Sequence, residues 1–258
     1  MSLLKTFVLL SKIMKMKVED IKPYGKEGAK AQQVEEMFDS IAPAYDFMNR
    51  AMTLGIDRWW RRVAVNMVKR HKPRRILDVA TGTGDFAIDL QRKIKPERVV
   101  GIDLSQGMLE VARKKIASRG LDKHITVEQA DCLALPFRDG EFDAVTVAFG
   151  VRNFEHLLQG YEQMHRVLSP GGVLCVIELS TPRNRLIRWL YDLYTLHIIP
   201  WMGALKSHDS SAYRYLPQSI AAVPQGEEMI AIMREAGFDN CKVKRLTLGT
   251  CSIYLALA

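Results

Sequence analysis

The run Asp78-Val79-Ala80-Thr81-Gly82-Thr83-Gly84-Asp85 carries the sharpest chemical signal in the chain. It lies where an apolar stretch, RILDVA, gives way to an amphipathic one. Gly82 and Gly84 permit a tight turn and let a ligand approach the backbone. Asp103 stands 21 residues beyond Gly82, at the end of the next apolar run, RVVGID. A carboxylate at that spacing can accept hydrogen bonds from both hydroxyls of an adenosine ribose. Asp131 follows a third apolar run, where a polar group can reach an adenine amine. Together these residues predict a nucleoside-binding site.

Which nucleoside binds is decided by charge. Gly82 to Ala87 formally satisfies the G-x-G-x-x-A pattern of nicotinamide dehydrogenases. Yet the turn carries acids at Asp78 and Asp85. A pyrophosphate would be repelled there, whereas a sulfonium cation with an α-amino group would be attracted. Residues 1–74 precede the first strand, which is enough chain for a substrate-binding cap.

The elements that must hold these residues follow from periodicity. Short apolar runs at 75–80, 98–103, 125–129, 143–149 and 173–179 read as buried parallel strands. Helical patterns lie between them at 85–94, 105–118 and 154–168, with Ser105 a predicted N-cap. A helix over 227–236 and two late strands, 243–248 and 252–257, close the chain as antiparallel neighbours. This alternation predicts an α/β fold: a doubly wound, mostly parallel seven-stranded sheet with an N-terminal helical cap. The cap spans 31–70, where helical spacing at Val34, Met37, Phe38 and Ile41 ends at Pro43 and a second helical stretch is broken by Gly55. Residues 183–224 interrupt the rhythm and hold six of the twelve Trp and Tyr residues. We expect a single domain over 31–258, a leader over 1–30 that is flexible or lies on a membrane surface, and 183–224 as a substrate-side insertion.

Composition narrows the class. The chain has 258 residues, 48% hydrophobic and 26% charged, which excludes disorder and fibre. Its net charge is +8. No apolar run is long enough to span a bilayer. Cys132, Cys175, Cys241 and Cys251 form no C-x-x-C pair and have no His at ligand spacing, so reduced thiols and no metal site are expected. The N-terminal MSLLKTFVLLSKIMKMK has too short an apolar core for a signal peptide. It reads as a leader ahead of Met14 or Met16, or as a basic amphipathic helix on anionic lipid.

The glycine turn, together with LSPGGVL before the fifth strand, is similar to the pattern of class I S-adenosylmethionine-dependent methyltransferases. A narrower resemblance lies outside that core. FDSIAPAYDFMN (38–49) and LGIDRWW (54–60) resemble the N-terminal signature of the ubiquinone/menaquinone biosynthesis C-methyltransferases, the UbiE/MenG family. So do FGVRN (149–153), RVLSPGGV (166–173) running on to Glu178-Leu179-Ser180, and YRYLPQSI (213–220). The resemblance covers residues 32–250. Asp57 stands where the family often has His, Thr53 where it often has Ser, and Val223-Pro224 replaces Phe-Pro. These departures bear on the quinone headgroup more than on the reaction.

The resemblance implies S-adenosylmethionine as methyl donor, no metal, and a polyprenylated quinol as substrate: demethylmenaquinol, with a ubiquinone-pathway benzoquinol as the alternative. Cofactor contacts would fall on Thr83, Asp103, Asp131 and Cys132, the last through its backbone, beside Asp78, Gly82 and Gly84. Methylating a ring carbon requires the reduced, electron-rich ring and a way to favour its phenolate. Arg152, after the fourth strand, is the candidate for phenolate stabilisation, and Tyr45 and Asp46 for closing the site from the cap. His156 and His165 lie away from the active end of the sheet. The 183–220 stretch suits a channel for a prenyl tail, and the basic balance suits a cytoplasmic protein held at the inner face of a membrane. A homo-oligomer is left open. A nucleic-acid methyltransferase also fits the charge. However, the fourth strand ends AFGVRN, without the Asn/Asp-Pro-Pro-aromatic cluster or the Pro-Cys nucleophile of those enzymes.

Overall fold

A computed structural model describes residues 16–195 and 210–258. The expectations for residues 1–15, and for the part of the insertion at 196–209 that includes Trp201, lie outside the described residues. So does the side chain of Tyr213.

The strands are β1 (Arg75–Val79), β2 (Arg98–Asp103), β3 (Ile125–Gln129), β4 (Phe142–Ala148), β5 (Leu168–Leu179), β6 (Asp239–Leu246) and β7 (Cys251–Leu257). They form one seven-stranded sheet in the order β3-β2-β1-β4-β5-β7-β6. The first five run parallel and β7 lies antiparallel between β5 and β6, as the sequence predicts. β1 reads RILDV, and all of it but Arg75 is buried. Burial on both faces explains the continuous apolar run in place of alternation. β5 starts at Leu168 rather than 173, because Leu168 pairs with Phe142 ahead of an irregularity in the ladder.

Helices α1 (Lys30–Ile41), α2 (Tyr45–Thr53) and α3 (Asp57–Lys69) form the cap. Pro43 sits at the start of a short 3-10 turn that ends α1, and Leu54 and Gly55, both left-handed, separate α2 from α3. Around the sheet follow α4 (Asp85–Ile94), α5 (Gln106–Ala117), α6 (Leu157–Val167), α7 (Arg185–Leu193), α8 (Ser210–Ala222) and α9 (Glu227–Glu235). Ser105 caps α5, accepting from the Met108 amide at 3.1 Å. His165 packs edge-on against Phe238, a structural position.

One expectation is corrected. The supposed leader does not run to residue 30, because Val18 and Ile21 are buried in the core and Glu19 accepts from the Leu157 amide at 2.8 Å. Two buried apolar side chains hold this segment, each contributing roughly 1.5–3 kcal/mol.

Candidate active site

The chain reverses its winding between β1 and β4, and ligands bind at the carboxyl ends of strands at such a switch point. Two residues there, Ala80 after β1 and Phe149 after β4, hold left-handed backbone conformations, a strain that persists where the surroundings impose it. A cleft of about 750 Å³ opens at this edge. Gly82, Asp103, Asp131, Cys132 and Tyr45 all line it. A Cβ built on Gly82 would meet nothing within 4 Å, so open space lies directly over that glycine.

Asp103 is fixed by two backbone amides. Gly82 N donates to Oδ2 at 2.8 Å and Ser105 N to Oδ1 at 3.0 Å. Each carboxylate oxygen keeps a second lone pair for a ligand hydroxyl. Burial raises the Asp103 pKa to about 6, against the pull of those amides. Asp131 Oδ1 accepts from the Leu133 amide at 2.9 Å. Cys132 is a buried thiol whose pKa is pushed well up by burial, so it stays protonated and unreactive.

Two of the glycine-turn residues act from behind. Asp78 is 1% exposed, and the hydroxyls of Thr81 and Thr146 each donate to one of its oxygens at 2.6 Å. It does not line the cleft; the structure uses it to tie the turn to β4. Burial raises its pKa to about 6 as well. Gly84 faces Ala112, where a Cβ would come within 3.2 Å of the alanine Cβ, so its role is close packing of α4 on α5.

Thr83 meets the cap. Its hydroxyl donates to Asp46 Oδ1 at 2.6 Å, and Lys115 from α5 donates to Asp46 Oδ2 at 2.6 Å and to Asp85 Oδ1 at 2.5 Å. Asp46 thus has both oxygens engaged in a clasp between cap and turn. The sequence reading missed Lys115. It also missed Asp39 of α1, which accepts from Ser105 Oγ at 2.6 Å and Gly107 N at 2.9 Å and so binds the cap to the start of α5.

A second cavity, of about 490 Å³, adjoins the first. Phe38 and Tyr45 line both. The rest of the second wall is apolar (Met37, Ile41, Met48, Met52, Leu216) apart from Asn49, Tyr215 and Arg152. Arg152 is buried and paired with Glu178 of β5, Nη1 to Oε1 at 2.8 Å. Its Nε is buried with no hydrogen-bond partner. Burial works against the Arg152 charge, but Glu178, Tyr45 and Tyr215 together outweigh it and the pKa is raised. Burial lifts the Tyr45 hydroxyl to about 12 despite Arg152 nearby. Among the described residues no group of three or more His, Cys, Asp or Glu could hold a metal ion.

A seven-stranded sheet with a ribose-spaced acid beside a glycine turn, joined to an apolar cavity that holds one cation, defines a class I S-adenosylmethionine-dependent methyltransferase. The fold resembles a solved S-adenosylmethionine-dependent methyltransferase from Thermotoga maritima (TM-score 0.59, 19% identity, covering 87% of this chain and 99% of that one). Residues 26–258 match the ubiE/COQ5 methyltransferase family, and the chain belongs to it. A demethylmenaquinone methyltransferase of Bacteroides fragilis is 49% identical over 92% of this chain and 97% of its own length. A ubiquinone/menaquinone biosynthesis C-methyltransferase, UbiE, of Geobacter sulfurreducens is 44% identical over 87% and 88%.

Proposed function

We propose that this enzyme methylates a ring carbon of a polyprenylated quinol, converting demethylmenaquinol to menaquinol. The observation that carries the reading is the shared wall of Phe38 and Tyr45 between the two cavities. A donor in the first cavity and an aromatic ring in the second would meet across that wall. S-adenosylmethionine, when bound, supplies an electrophilic methyl on a sulfonium.

The residues divide the remaining work. Asp103 accepts from the ribose hydroxyls, and Gly82 leaves room for the ligand over the turn. Asp131 and the backbone at Cys132 face the adenine. Thr83 acts through the Asp46 clasp, which closes residues 31–70 over the donor as a cap. Arg152 faces the quinol oxygen and favours its phenolate, which places negative charge on the ortho carbon. Its guanidinium remains a cation and is not a base, so the hydroxyl proton passes to water. The ring carbon forms its bond to the methyl as the methyl–sulfur bond breaks. The ring then loses the hydrogen it carried and the oxygen regains one, for a net release of one proton. Tyr45 stays protonated at neutral pH and serves as wall and donor. Residues 183–224 supply the path for the prenyl tail, and the enzyme works peripherally at the cytoplasmic face of the membrane.

The test is transfer of labelled methyl to reduced and oxidised naphthoquinone, to reduced benzoquinone and to RNA. Label should enter the reduced naphthoquinol. Label in RNA, or equal transfer to oxidised and reduced quinone, overturns the reading; label in benzoquinol alone moves the headgroup to the alternative.

A further inference from the structure

Two leucines hold left-handed backbone conformations with their side chains in solvent: Leu54 (φ 51°, 78% exposed) and Leu248 (φ 57°, 73% exposed). That conformation is unfavourable for a branched L-residue, and an exposed leucine gains nothing from the core to offset it. The two tips stand at one end of α3. Trp60 donates its indole N–H to Thr247 Oγ1 at 2.7 Å, next to Leu248, and its amide bonds Ile56 O at 3.1 Å in the turn after Leu54. α7 reaches the same end, because the Tyr194 hydroxyl donates to Met52 O at 3.0 Å. α7 buries none of its own residues. Its exposed Leu186, Trp189, Leu190 and Leu193 recur at helical spacing and form one stripe.

A basic cleft flanks this apolar end. Seven Arg and Lys side chains and two carboxylates line it. Arg58 and Arg62 of α3, Arg92 and Lys93 of α4, and Arg119 are all exposed. Trp59, also exposed, follows Arg58 in the first turn of α3. Apolar tips, interfacial tryptophans and a cationic flank are the composition that sits at the boundary of headgroups and acyl chains.

We propose that this face docks the enzyme on an anionic lipid bilayer, with Leu54, Leu248 and the α7 stripe entering the acyl boundary and the α3 arginines meeting headgroup phosphates. The inference deepens the quinol reading and rests on it in one respect: Met52, at the docking face, lines the cavity assigned to the substrate ring. A lipid-soluble quinol would then pass from the bilayer into the cavity without crossing water. The positive cleft complements anionic lipid and gives a neutral bilayer much less to bind.

The test uses the full chain and vesicles of phosphatidylcholine, with and without phosphatidylglycerol. Wild type should float with the anionic vesicles, show a blue shift of tryptophan emission, and bind neutral vesicles at least about tenfold more weakly. Leu54→Asn/Leu248→Asn should lower partition to anionic vesicles by about tenfold or more, since Asn tolerates the left-handed backbone. Arg58→Gln/Arg62→Gln should lower it on anionic vesicles and leave the residual binding to neutral ones unchanged. Both pairs should keep wild-type turnover of a short-chain, water-soluble quinol and a wild-type melting temperature. No binding to anionic vesicles, or binding unaffected by either pair, overturns the proposal. An unshifted tryptophan emission does so too, because it means the chain itself covers the face. So does a lipid-free dimer that Leu54→Asn/Leu248→Asn converts to monomer, which would assign the face to a second copy. The soluble-quinol assay separates the two readings: lost turnover with intact flotation removes the function alone, and intact turnover without flotation removes the docking face alone.

Discussion

Glu178 holds Arg152 at two points, its Oε1 accepting from Nη1 at 2.8 Å and its Oε2 from the Arg152 backbone amide at 3.3 Å. The side chain and the backbone of this residue, in the 3-10 turn Val151–Asn153 that follows β4, are thus set by one carboxylate at the end of β5. The Phe149 carbonyl takes Nη1 as well. Arg152 can face the second cavity as a fixed cation only because this pair neutralises it where both partners are buried.

Removing one partner should therefore cost more than removing both. Arg152→Ala leaves Glu178 as a buried, unpaired charge and should destabilise the fold by about 3–5 kcal/mol. Arg152→Met/Glu178→Leu should recover most of that loss while turnover remains abolished. Urea unfolding of the two variants decides it. A double variant no more stable than the single one would mean that the pair is not coupled as described.

Asp103 gives a pH signature. Ribose hydroxyls donate best to its ionised form, and burial raises its pKa in the free protein to about 6. Donor affinity should rise with pH up to that value and flatten above it, with a limiting slope of about tenfold per pH unit on the acid side. Asp103→Asn should weaken binding and abolish the slope. Calorimetric titration of S-adenosylhomocysteine between pH 5 and pH 8 reads both effects; an affinity independent of pH in wild type would remove Asp103 from the ribose.

Asp103 and Gly82 are legible in the sequence because their spacing repeats a local strand–turn–helix–strand geometry, and the helix over 85–94 and the strands over 98–103 and 125–129 fall where periodicity puts them. Glu178, Lys115 and Lys30 are not legible in that way. Each is a charged residue whose role is made by a partner far along the chain, Glu178 by Arg152 and Lys115 by Asp46. Asp78 shows the limit from the other side. The sequence shows it as a charge that would attract a sulfonium, but not that two threonine hydroxyls hold its oxygens beneath the turn. Periodicity reports which face is buried, not which buried polar groups find each other.

The Asp46 clasp predicts a kinetic effect. Asp46 joins α2 to Thr83 of the glycine turn and to Lys115 of α5. Asp46→Ala releases two charge-assisted contacts, each contributing about 1.5–3 kcal/mol when formed, and should loosen the cap over the donor. Dissociation of S-adenosylhomocysteine should quicken by about tenfold or more, with association little changed. Stopped-flow displacement measures it. An unchanged rate would mean that α2 does not gate the cleft.

Lys30 ties the N-terminal segment to the active-site turn. Its ammonium is fully buried and donates to Val18 O at 2.7 Å and to Arg152 O at 3.0 Å. Burial lowers its pKa from 10.5 to about 8, with the carboxylate of Glu19 working the other way. Between those two values the unfolded chain holds a proton that the folded chain has given up. Lys30 therefore opposes folding when charged, and this penalty is relieved as pH rises from 8 toward 10.5, by at most about 1.4 kcal/mol per pH unit. Lys30→Met should remove that rise. It should also leave the Val18 and Arg152 carbonyls without a donor, so that the segment near Val18 becomes cleavable by protease in the folded protein. Urea midpoints of wild type and variant at pH 7.5 and pH 9.5, with limited proteolysis at neutral pH, read the two consequences. The same pH slope in both proteins would mean that Lys30 is not the buried cation of this junction.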